Sequence, residues 1–143
     1  MDQINILVTD DEREIADLLE IYLVSDGYRV WKAYSAKEGL QILQEHDIQL
    51  AILDIMMPEM SGLDASDRIR ALTAAPILFL TARTQERDRY EAYASGGDDY
   101  LPKPFSQTEL LIRVEALLRR YRVYKGKSTE QQLRPGLALD EAG

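Results

Sequence analysis

Short apolar runs alternate along the chain with longer stretches of helical period. The runs cover residues 4–8, 28–34, 50–53, 76–80 and the pair Tyr100-Leu101. Between the first two, Ile15, Leu18, Leu19, Tyr22 and Leu23 recur at i, i+3, i+4, i+7 and i+8. That spacing predicts one stripe of an amphipathic helix, ended near Gly27. Two further helix starts are marked by Ser-x-x-Glu, at Ser35 with Glu38 and at Ser106 with Glu109, where side chains and backbone N–H groups satisfy one another. The last helix carries the strongest pattern, a continuous stripe of Leu110, Leu111, Val114, Leu117, Leu118 and Tyr121. Residues 84–95 differ: Tyr90 and Tyr93 are the large apolar anchors among many charges, which predicts a loosely held, mobile helix.

Strands alternating with helices imply parallel pairing, because a helical crossover returns the chain to the same edge, and right-handed crossovers cover both faces. The expected architecture is a three-layer α/β sandwich with a five-stranded parallel sheet and five helices. In such sheets the site lies beyond the carboxyl ends of the strands, where the strand order reverses. If the order is 2-1-3-4-5, that point falls between the ends of the first and third strands. Polar groups stand at those ends in an otherwise apolar frame: Asp10-Asp11 after the first run, Asp54 after the third, Thr81 after the fourth and Lys103 after Tyr100-Leu101. An unpaired carboxylate beside a buried strand is costly, ~3 to 5 kcal/mol when its partner is removed. Asp54 as a mere turn residue is therefore a poor reading. Taken singly, Thr81 reads as a strand terminus and Lys103 as a solvated cation; their joint spacing reverses both.

Composition narrows the classes. The 143 residues suffice for one domain and are too few for two ordinary ones. Hydrophobic residues at 45% and charged ones at 29% fit a folded globular chain. Lys and Arg number 17 against 25 Asp and Glu, a net charge of -8 that repels polyanions, so nucleic acid is not expected as a partner of this segment alone. Cysteine is absent, excluding disulfides and thiolate metal sites. Neither a basic leader nor a membrane-length apolar run is present in the sequence, and a cytoplasmic protein without membrane contact is expected.

The residues Asp10-Asp11, Asp54 with Met57-Pro58 and Gly62, Thr81-Ala82, and 96–105 (Gly-Gly-Asp-Asp-Tyr-Leu-Pro-Lys-Pro-Phe) resemble, as an ordered set, the receiver domain of bacterial two-component response regulators, over roughly residues 3–122. There are two departures: Thr9 stands where that family has an aliphatic residue, and Gly97 where it has Ala. The resemblance implies a flavodoxin-like (CheY-like) fold and a chemistry. Asp54 is the phosphoacceptor, receiving a phosphoryl group from a sensor histidine kinase. Three crowded carboxylates need a proton or a divalent cation, and an all-oxygen site suits Mg²⁺. The family places that ion between Asp11, Asp54 and the Met56 carbonyl, with Asp10 acting largely through water. Lys103 and Thr81 then hold phosphoryl oxygens, and Lys103-Pro104 is expected to be cis. A blander reading has Asp11 and Glu14 capping the first helix.

Further roles follow from the same resemblance. Thr81 and Tyr100 form a switch that reshapes the face made by the fourth helix, fifth strand and fifth helix. On that face Arg89 with Glu109, Asp98 with Arg113, and Asp99 with Arg120 resemble the inter-subunit pairs of the OmpR/PhoB subfamily, implying a two-fold homodimer on phosphorylation. Met56, two beyond Asp54, and Arg83, two beyond Thr81, are expected to border the path of hydrolytic water and tune the lifetime of the phosphorylated state. Met57 reads as packing, and His46 as an exposed helix end without a role.

Residues 1–122 are thus assigned to the receiver domain. Residues 123–143 are assigned to a linker and the opening strand of a truncated winged-helix domain, because Gly136-Leu137-Ala138-Leu139-Asp140 resembles that strand. DNA would be reached only through that missing domain. A stand-alone receiver acting by protein docking is the main alternative. A flavodoxin-like electron carrier conflicts with Asp10-Asp11 in its phosphate loop, and an Asp-x-Asp phosphatase conflicts with Met56.

Overall fold

The computed structural model describes residues 3–57, 62–82 and 98–130. In chain order these form β1 (Asn5–Thr9), α1 (Arg13–Ser25), β2 (Arg29–Ala33), α2 (Ala36–Glu45), β3 (Leu50–Asp54), α3 (Gly62–Leu72), β4 (Ile77–Ala82), β5 (Asp99–Lys103) and α4 (Gln107–Glu130). All strand pairs are parallel and the sheet order is β2-β1-β3-β4-β5. The expected sheet is therefore present. Four helices lie among the described residues; the helix expected at 84–95 falls outside them, as do Pro58, Arg83, Arg89 and residues 131–143.

Period-2 alternation sorts the central strands into two cores. Ile6 and Val8 of β1, Leu50 and Ile52 of β3, and Leu78 and Leu80 of β4 face Ala16, Leu19 and Leu23 of α1 and Leu110, Val114, Leu117 and Leu118 of α4. Leu7, Ala51, Leu53, Ile77 and Phe79 point the other way, onto Leu40 and Leu43 of α2 and Ile69 of α3. The continuous apolar runs are thus strands buried on both faces, as parallel sheets require.

Local signals set the element ends. Gly27, at φ 93°, takes the left-handed conformation that closes α1, and Tyr28 donates its N–H to Leu23 at 3.1 Å. At α4 the capping box is reciprocal, Ser106 and Glu109 each bonding the other's N–H at 3.0 Å. At α2, Ser35 caps Glu38 N–H, but the Glu38 carboxylate reaches one residue further back, to Tyr34 N–H at 2.7 Å. The capping role considered for Asp11 is not found: Glu12 occupies the N-cap of α1 with no side-chain cap bond. Helix α4 runs through to Glu130, so residues 123–130, expected within the linker, are helical. No described helix is long and apolar enough to cross a membrane.

Candidate functional site

Parallel register brings the carboxyl ends of four strands to one edge. Asp54 closes β3 opposite Leu80, and Thr81 in β4 lies opposite Pro102. Asp10 directly follows β1, and Lys103 ends β5. Asp10 and Thr81 are almost wholly buried and Asp54 is 5% exposed, an unusual density of polar groups in an apolar frame.

Lys103 links the acids. Its Nζ lies 3.4 Å from Asp54 Oδ2, 3.2 Å from Asp10 Oδ2 and 3.2 Å from Glu12 Oε1. Backbone donors complete the frame: Met56 N–H donates to Asp54 Oδ1 at 3.0 Å, and Glu12 N–H to Asp10 Oδ1 at 2.9 Å. The Lys103-Pro104 peptide is cis.

Burial pushes the Asp54 carboxyl up to about 6, and the charge of Asp10 adds to it; Lys103 and the Met56 N–H oppose this shift. Burial likewise raises Asp10 above its ordinary value. Burial pulls the Lys103 ammonium down, but the carboxylates of Asp54 and Asp10 outweigh it and hold the ammonium above its ordinary value. One cation serves three carboxylates, so negative charge is left over.

That excess and its geometry fit a hard divalent cation. Carboxylate oxygens of Asp10, Glu12 and Asp54 lie within 4.8 Å of one another. Asp10 Oδ2 is buried and, among the described residues, accepts no well-directed hydrogen bond, although Lys103 is near. Glu12 was not singled out from the sequence, although i and i+2 positions past a strand end can face the same way. Asp11 is exposed and stands outside the converging triad, and Met56 is 60% exposed at its rim.

Two hydroxyls matter beside the acids. Thr81 Oγ1 is buried and has no hydrogen-bond partner among the described residues, leaving its proton available to an incoming acceptor. Thr9 Oγ1 is in the same condition, but Thr9 packs against Gly39 of α2. Tyr100, half-buried on β5, packs on the core beneath α2 and α3, with the Arg113 guanidinium 5.7 Å from its ring.

On the face expected to dimerise, Asp99, Glu109, Ile112, Arg113 and Ala116 line a shallow depression, and Ile112 is 62% exposed. Asp98 and Arg113 are not joined within the chain: Asp98 pairs with Arg70, and Arg113 with Asp99. Arg120 is exposed. His46, expected on an exposed helix end, is only half-exposed and stacks on Trp31 with ring centroids 3.7 Å apart.

Residues 6–115 match the family described as the response regulator receiver domain. The chain is 46% identical over 127 residues to the regulatory protein VanR of Enterococcus faecium, covering 89% of this chain and 55% of that protein. It is 41% identical over 138 residues to the response regulator SaeR of Staphylococcus aureus, covering 96% and 58%. It thus spans little more than half the length of these curated relatives. A crystal structure of a response regulator from Chloroflexus aurantiacus superposes with a TM-score of 0.80 at 33% identity, over 83% of this chain and all of that one.

Proposed function

Because the chain belongs to the response regulator receiver domain family, we propose that it accepts a phosphoryl group on Asp54 from a sensor histidine kinase and converts that event into dimerisation. The observation that carries this reading is a buried Asp54 joined to Asp10 through Lys103, at the same sheet edge as Thr81, whose buried hydroxyl has no hydrogen-bond partner among the described residues.

Asp54 is ionised at neutral pH, since it is held only up to about 6. One of its carboxylate oxygens attacks the phosphorus of a phosphohistidine. The new P–O bond forms as the P–N bond breaks, and the imidazole leaves with its electron pair. Asp10, Glu12 and Asp54, with Asp11 and the Met56 carbonyl by family resemblance, would hold Mg²⁺. When bound, that ion supplies positive charge to the crowded carboxylates and to a phosphoryl oxygen. Lys103 turns from the acids to a second phosphoryl oxygen, which needs little movement because its ammonium already lies 3.4 Å from Asp54. Thr81 donates its hydroxyl proton to the third.

Movement of Thr81 toward the phosphoryl group opens space on the Tyr100 side of the sheet, and Tyr100 turns inward. That rotation reshapes the surface of β5 and α4 and favours a two-fold dimer through Arg89, Asp98, Asp99, Glu109, Arg113 and Arg120. The output is transcription control through a DNA-binding domain such as a winged helix, consistent with the regulators it resembles. The test is incubation with acetyl phosphate and Mg²⁺ followed by mass spectrometry. Wild type gains one phosphoryl group, while Asp54→Asn and a chelator-treated sample gain none. Labelling of Asp54→Asn at the wild-type rate would overturn the assignment.

A further inference from the structure

Asp98 and Arg113, expected to meet across a dimer, each have a partner inside the protomer. Asp98 sits where the chain enters β5. Its Oδ2 accepts a hydrogen bond from the Arg70 guanidinium of α3 and another, at 2.8 Å, from the backbone N–H of Ile77. Arg70 at the same time donates to the Ala75 carbonyl at 2.5 Å. One side chain thus ties α3, the loop before β4 and the entry to β5 together. Arg113 in turn lies 3.2 and 3.3 Å from the two oxygens of Asp99.

These contacts are poised for exchange. The side chains of Arg70, Asp98 and Arg113 are 31%, 34% and 32% exposed, so water screens each pair and neither is a permanent lock. Joining Asp98 to the partner's Arg113 breaks two internal pairs, Arg70–Asp98 and Arg113–Asp99. Asp99 is compensated by the partner's Arg120. The Arg70–Asp98 pair must open for this exchange, so Arg70 competes with the partner's Arg113 for Asp98.

We propose that Arg70 is an internal competitor for Asp98, a latch whose strength sets the threshold for self-association. This rests on the dimer reading given above. The latch stands at the amino ends of β4 and β5, at the opposite edge of the sheet from Asp54, so it tunes assembly without touching the phosphoryl chemistry. Tyr100 connects the two edges: its ring lies 5.7 Å from the Arg113 guanidinium, so its rotation alters the surroundings of Arg113, which stays with Asp99 until the partner's Asp98 competes for it.

Sedimentation of wild type, Arg70→Gln and Arg70→Lys, each with and without beryllofluoride and Mg²⁺, tests the proposal. Arg70→Gln without beryllofluoride should dimerise about fivefold more tightly than wild type, the factor an exposed ion pair can supply. Arg70→Lys, which keeps the charge but not the fork, should fall between. Adding Asp98→Asn to Arg70→Gln should erase the gain; a gain that persists would overturn the latch. Equal dimer affinity in wild type and Arg70→Gln, with beryllofluoride still dimerising both, would overturn it and leave the dimer reading intact. Absence of dimer in every sample would reject the dimer reading and the latch with it. Should Arg70→Gln fail to fold, nitrogen-15 spectra of the wild-type Arg70 side chain decide: beryllofluoride should shift its signals and speed their exchange, and unchanged signals would refute the latch.

Discussion

Gly39 on α2 lies so close to Thr9 on β1 that a Cβ built on the glycine would stand 2.7 Å from Thr9 Oγ1 and 3.5 Å from its Cγ2. Thr9, the departure from an aliphatic residue noted in the sequence, thus has a counterpart across the sheet-to-helix interface. Gly→Ala inside a helix ordinarily stabilises by about 0.5–1 kcal/mol. Here the added Cβ would press on the wholly buried, β-branched Thr9, and overpacking costs about 1–3 kcal/mol. Gly39→Ala should therefore destabilise the wild type, and in a Thr9→Ala background the same change should become neutral or stabilising. Denaturant unfolding of the four proteins reads the coupling; strictly additive effects would remove the explanation.

Asp54 titrates against stability. Its folded value of about 6 lies above the ordinary 3.8, so the folded state holds its proton more tightly than the unfolded chain. As pH rises from about 4 through about 6 the unfolded state ionises first, and stability falls. Asp54→Asn should thus exceed wild type in stability at pH 7 in a chelator, by on the order of 2 kcal/mol. That advantage should shrink toward pH 4 and also on adding Mg²⁺ at pH 7. Identical unfolding curves for the two proteins at pH 7 without metal would contradict it.

The frame of the site was legible because buried parallel strands tolerate few polar residues, so Asp10, Asp54, Thr81 and Lys103 stood out at strand ends. Helix starts were legible where chemistry is local, as at Ser106 and Glu109. The Arg70–Asp98 pair was not, since its members lie 28 residues apart and only β5 folding back beside β4 brings them together. Glu12 escaped for another reason. Its side chain is exposed, and although the i, i+2 spacing from Asp10 allows the two to face the same way, its convergence on Lys103 depends on how the chain turns after β1. The stack of His46 on Trp31 likewise needs α2 laid across the edge strand.

Met56 is 60% exposed two residues beyond the buried Asp54. With Arg83 it is expected to obstruct water in line with the acyl phosphate. Replacing both by smaller groups, in Met56→Asn, Arg83→Ala, should hasten loss of the phosphoryl group by about tenfold, roughly 1.4 kcal/mol in barrier. Decay of radiolabelled protein in excess chelator measures this directly, and equal half-lives would dismiss the shielding role.

Trp31 and His46 are the single tryptophan and single histidine of the chain, which makes their stack readable by fluorescence. The rings are 23° from parallel, and Arg29 lies 4.7 Å from the Trp31 centroid, so the indole of this edge strand is covered by aromatic and cationic neighbours. Ring pairs of this kind contribute about 0.5–1.5 kcal/mol beyond their buried area. His46→Ala should therefore lower stability by about 1 kcal/mol and move Trp31 emission to longer wavelength as water reaches its exposed face. His46→Phe, which keeps a stacking ring, should restore both. If His46→Ala leaves emission and unfolding midpoint unchanged, the stack does not cover the edge strand in solution.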